Sequence, residues 1–97
     1  MGNVSLVVMN KRDNVATAVM DLESGLKAGT GDGREINVKE SIPFGHKLAL
    51  QDIFSGQVVI KYGEPIGIAT KDIKTGQHVH VHNVEGNRGR GDKKGDN

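Results

Sequence analysis

Short apolar runs alternate with polar residues along this chain, and almost every run is closed by Gly, Asp, Asn or Pro. Seven stretches read as strands: 4–8 (VSLVV), 14–20 (NVATAVM), 34–39 (REINVK), 46–50 (HKLAL), 57–61 (QVVIK), 65–69 (PIGIA) and 77–82 (QHVHVH). A strand turns successive side chains to opposite faces, so each stretch can offer one apolar face to a core. GTGDGRE is rich in turn residues, with Asp32-Gly33 as a hairpin signal. A short helical turn near 50–54 also fits, but no window carries an amphipathic helix of three turns with caps. The pattern predicts an all-β domain.

A repeated phrase reinforces that reading. ALQDIFSGQVV (49–59) and ATKDIKTGQHV (69–79) share A-x-x-D-I-x-x-G-Q-x-V at a spacing of twenty residues, and AVMDLESG (18–25) is a weaker third copy. In each, Asp can accept backbone N–H groups in a turn, the Ile or Leu can plug the core, and Gly can take positive φ. Such corners imply chain reversals between short strands. Three copies at unequal spacing do not make a solenoid.

Composition narrows the picture further. With 97 residues, 35% hydrophobic and 3% aromatic, the chain suits one domain with a thin core of Val, Ile and Leu. No apolar stretch approaches the roughly 18 residues of a membrane span, and the opening run is too short for a secretory signal. The absence of Cys excludes disulfide and thiolate chemistry and suits a cytoplasmic location. Residues 1–85 carry nine Lys/Arg against ten Asp/Glu, whereas 86–97 carry four against two and no apolar side chain. That division predicts a folded domain over 1–85 and a flexible Gly/Arg/Lys-rich tail over 86–97. The tail's few basic residues, diluted by acids and without aromatics, do not make a nucleic-acid site.

The candidate chemistry centres on GQHVHVHNVE (76–85). His78, His80 and His82 alternate with Val79 and Val81, which on a strand puts three imidazoles on one face and the valines on the core side. Neighbouring imidazoles there stand about 6.6–7 Å apart at their Cα atoms. At most two of His78, His80 and His82 can therefore share one ion, with other ligands from elsewhere. His80 and His82 lie nearest Asn83. In GHK, His46 and Lys47 point to opposite faces of a strand. In KYGEPIG, Lys61 could hold a carboxylate, while Tyr62 could donate a hydrogen bond or fill core. Asp13-Asn14 reads as an ordinary turn or strand start.

Taken together, DNVATAV, IPFGHKLAL, VIKYGEPIG and GQHVHVHNVEGNRGRGD resemble the SAF-type domain of the altronate/galactarate dehydratase family, in its small-subunit form, over about residues 10–92. The resemblance implies a compact β-clip fold and a lyase that removes water from a sugar acid. It also implies a large catalytic dehydratase subunit carrying most of the active site, with a divalent metal, iron being the expected ion, held mainly there. It points to His46, His80 and His82 as catalytic candidates, and to Asp13, Asn14, Lys47, Lys61, Tyr62 and Asn83 as substrate-binding ones. Asn10 stands where this family leads one to expect His, and Gln77 where Glu is common. One small β domain cannot enclose a six-carbon substrate, so the chain is expected to be inactive alone. Alternatives on the same scaffold are elimination of sulfite from sulfolactate and a non-catalytic binding or assembly module.

Overall fold

The corner phrases of the sequence set the architecture. The computed structural model describes residues 4–86; among them there is no helix, and nine short strands form. These are β1 (Leu6–Val7), β2 (Val15–Ala18), β3 (Lys27–Gly29), β4 (Glu35–Asn37), β5 (Lys47–Ala49), β6 (Val58–Lys61), β7 (Glu64–Ala69), β8 (His78–Val79) and β9 (Val84–Gly86). Every pairing is antiparallel: a four-stranded sheet β1-β2-β5-β8, a hairpin β3-β4, and a three-stranded sheet β6-β7-β9. The all-β prediction holds.

The corner phrase occurs four times rather than three, in two mated pairs. Leu22 bridges Ile42 and Ile53 bridges Ile73, each pair through two reciprocal backbone hydrogen bonds. In every copy the glycine N–H donates to a carbonyl four residues ahead of the partner's plug. Gly25 reaches Val38, Gly45 reaches Ala18, Gly56 reaches Ala69 and Gly76 reaches Ala49. All four glycines have φ between +86° and +98°, the region that a side chain disfavours. Asp21, Asp52 and Asp72 each accept an N–H from the mated copy, from Phe44, Thr75 and Ser55 respectively. The fourth copy, SIPFG at 41–45, has Ser41 where the others have Asp, which hides it from a pattern search.

The central sheet is apolar on both faces and separates two cores. Leu6, Ala16, Ala18 and Leu48 pack on one side with the plugs Leu22 and Ile42. Val15, Ala49 and Val79 pack on the other with Ile53 and Ile73. Adjacent residues of β2 and β5 thus serve different cores, which accounts for their alanines: small side chains let both layers approach. Each fully buried Leu or Ile contributes about 1.5–3 kcal/mol.

Several expectations need revision. β3 was not predicted, because Ala28 is its one buried residue and no alternation shows; β9 also escaped. The helical turn near 50–54 does not form, since the Ile53 N–H is taken by the Ile73 carbonyl across the corner. The strand expected over 77–82 ends at Val79. Val79 is fully buried, but Val81 is 81% exposed, so only one of the two valines faces a core. As for the expected tail, Gly86 closes β9, and the remainder, with RGRGD, lies outside the described residues.

Candidate active site

Strand pairing assembles the site from two distant segments. β5 and β8 run antiparallel with Lys47 opposite Val79 and Leu48 opposite His78. One step further along the same register, His46 meets His80. Their rings stack with centroids 4.2 Å apart and an interplanar angle of 20°. His46 Nδ1 lies 2.8 Å from His78 Nε2, so one imidazole donates and the other accepts. His46, His78 and His80 each place a ring nitrogen within 4.8 Å of the other two. His82 sits tilted over His78 at 5.2 Å and is not part of that set. The three nitrogens form a donor set that suits a borderline divalent ion.

The backbone around these rings is tied down locally. The Gly45 corner delivers His46, whose N–H donates to the Pro43 carbonyl. The His78 N–H donates to Glu40 Oε2 at 2.9 Å. After Val79 the chain turns, and Asn83 fixes the turn. Its Oδ1 accepts from the His80 N–H at 3.0 Å, and its Nδ2 donates to the His78 carbonyl at 2.8 Å. These bonds end the strand, because they capture backbone groups that a continuing ladder would need. Asn83 is buried, and its amide is occupied in shaping the histidine turn.

Asp13 and Asn14 also act on backbone. β6 and β7 are joined by a two-residue turn with positive φ at both Tyr62 (59°) and Gly63 (73°). Such turns match the twist of a hairpin, but a non-glycine residue there is unfavourable unless held. The Asp13 carboxylate holds it, accepting the N–H groups of Tyr62 at 3.1 Å and Gly63 at 2.8 Å. Asn14 donates to the Val58 carbonyl at 3.0 Å and accepts from the Ile60 N–H at 2.7 Å, joining β2 to β6. The turn lifts Tyr62 into solvent, which excludes a core role, and Lys61 Nζ lies 4.9 Å from its ring centroid.

The electrostatics favour the neutral form of His78 and His80. Burial holds His78 below the ordinary histidine range, with the neighbouring imidazoles, His46 foremost, adding to the effect. His80 is lowered by burial, then by His46 and Lys47. Burial also lowers Lys47, and the ammonium of Lys61 lowers it further. Neither lysine is ion-paired to a carboxylate among the described residues. The structure therefore brings together His46, His78 and His80, sets Lys47 on the other face of β5 with Lys61 near it, and uses Asp13, Asn14 and Asn83 as supports. Glu40 was missed by sequence reasoning; the unrecognised corner copy that follows it was the available signal.

Comparison with known proteins identifies the family. The altronate/galactarate dehydratase SAF domain matches residues 4–87. The chain is 43% identical over 83 residues to an altronate dehydratase of Bacillus subtilis, covering 86% of this chain and 16% of that protein. It is 47% identical over 75 residues to an altronate dehydratase of Escherichia coli, covering 77% and 15%. The chain thus spans about a sixth of the length of these two relatives. It is also 38% identical over 95 residues to the (2R)-sulfolactate sulfo-lyase subunit alpha of Chromohalobacter salexigens, covering 89% of this chain and 98% of that subunit. With its whole described fold inside the matched region, the chain belongs to the altronate/galactarate dehydratase SAF domain family.

Proposed function

We propose that this chain is the small subunit of a sugar-acid dehydratase of the altronate type, lending its histidine cluster to an active site shared with a large subunit. The observation that carries the reading is the His46–His78–His80 cluster, gathered from two distant segments, on a chain whose Lys47 and Lys61 lie near each other without carboxylate partners among the described residues. An aldonate or aldarate supplies the missing negative charge through its carboxylate. Elimination needs a base to take the proton from the carbon beside that carboxylate and an acid to protonate the departing β-hydroxyl. The hydroxyl leaves as water, and the enol that remains becomes a 2-keto-3-deoxy acid. His82, which stands over His78 but outside the His46–His78–His80 donor set, can take part in these proton transfers together with groups of the large subunit. A divalent metal, iron being the expected ion, held mainly by the large subunit, would supply positive charge for the developing enediolate.

A second reading, the small subunit of a sulfolactate sulfo-lyase, is favoured by the near full-length match to that relative's alpha subunit. Co-expression with the large dehydratase subunit from the same genome, followed by assay on altronate, galactarate and (2R)-sulfolactate, separates the two. The isolated chain should be silent and the assembled enzyme should release a keto acid from a sugar acid. Sulfite release from sulfolactate alone would move the assignment to the second reading. Turnover by the isolated chain would refute a shared site. An assembly silent on all three substrates would point to a non-catalytic binding or assembly module. In the assembled enzyme, His80→Ala should lower kcat/KM at least about tenfold, or roughly 1.4 kcal/mol, and Lys47→Met should act mainly on KM.

A further inference from the structure

We propose that His46, His78 and His80 form a divalent transition-metal site belonging to this chain alone, with at least one coordination position left open to solvent. Strand spacing allows at most two of the three alternating histidines on one ion. The structure keeps to that limit, using His78 and His80, and takes its third ligand from the neighbouring strand. Metal–nitrogen bonds of about 2.0–2.1 Å place adjacent donor atoms roughly 2.9–3.4 Å apart. His46 Nδ1 and His78 Nε2, at 2.8 Å, already stand close to that separation. His80, whose ring nitrogen lies within 4.8 Å of both, completes the set by rotating its ring toward them.

Preorganisation separates this cluster from three histidines that happen to meet. Glu40 fixes the backbone of His78, Asn83 that of His80, and the Gly45 corner that of His46. The imidazoles must be neutral to ligate, so binding is expected to strengthen as pH rises. An all-nitrogen donor set selects zinc, cobalt(II), nickel(II) or iron(II) over magnesium and calcium, which prefer oxygen. Three protein ligands leave a position for water or a ligand oxygen, as open catalytic sites do. This inference requires neither the larger subunit nor the lyase reading, so either can fail without the other.

The test uses the full chain without an affinity tag at pH 7.5, titrated with Zn(II) by calorimetry and with Co(II) by visible absorption. One ion per chain is expected, with no binding of Mg(II). His46→Ala, His78→Ala and His80→Ala should each weaken Zn(II) at least about tenfold, whereas His82→Ala should bind like wild type, with circular dichroism confirming the fold of every variant. Imidazole 15N spectra of the unmutated chain provide a readout that no misfolding can confound: Zn(II) should shift His46, His78 and His80 and spare His82. Absence of saturable binding at millimolar Zn(II), an equal loss in His82→Ala, or a shifted His82 with an unshifted His46 would each overturn the proposal.

Discussion

Gly76→Ala offers a sharp test of the corner architecture, because the fold supplies its own controls. Gly25, Gly56 and Gly76 hold the same place in three copies of one phrase, with φ of +98°, +92° and +90°. An alanine at such φ costs about 1–2 kcal/mol at any of them. A Cβ at Gly25 or Gly56 would meet nothing within 4 Å, whereas at Gly76 it would lie 1.9 Å from the Asn37 carbonyl oxygen. Relief requires separating the Gly76 corner from the end of β4, which strains two 2.9 Å backbone hydrogen bonds, Lys39 N–H to Gly76 O and Gly76 N–H to Ala49 O. Each is worth about 1 kcal/mol net, and more if its groups stay buried and unpaired. Gly76→Ala should therefore cost about 3–5 kcal/mol, against about 1–2 kcal/mol for Gly25→Ala and Gly56→Ala. A domain of this length has a total stability of roughly 5–15 kcal/mol. Urea unfolding of the three variants, with m-values compared, reads the difference directly. Three equal losses would show that the close approach at Asn37 is not present in solution and would refute the argument.

Asn14→Ala should destabilise the domain by about 2 kcal/mol, since it leaves the Ile60 N–H and the Val58 carbonyl without their partner; urea unfolding against wild type checks this. Stability in metal-free buffer should fall as pH drops below about 6.5. The folded pKa of His78 lies under its unfolded value, so the unfolded chain takes up the proton first and is favoured until the folded pKa is passed. Denaturant midpoints between pH 8 and 5 should show that slope, and His78→Gln should flatten it. Asp32, hydrogen-bonded by Arg34 and Thr30, should titrate at about 2 rather than 3.8. Its contribution is then present above the unfolded value and lost as pH falls through about 2, which carboxyl 13C shifts would follow.

The sequence by itself determined what depends on neighbours along the chain. Alternation marks strands and a glycine in D-[IL]-x-x-G marks a reversal, because side-chain direction and positive φ are properties of one or a few residues. That was enough for the all-β class, for three of the four corners and for six strands close to where they lie. It failed where the local signal was weak, as at Lys27–Gly29, or masked by substitution, as at Ser41.

The tertiary structure alone decided the site. His46 joins His78 and His80 only because Leu48 pairs with His78, and that register is held by core contacts of both faces of the central sheet. A strand period cannot tell that Asn83 will end β8 and turn Val81 outward, since the outcome depends on side-chain hydrogen bonds to backbone groups three and five residues away. Asp13 and Asn14 have the chemistry of ligands, yet they grip β6 and the turn after it, more than forty residues along the chain. Polar side chains declare what they can bond. Which partner they find is settled by the register of strands that meet only once the two cores have closed.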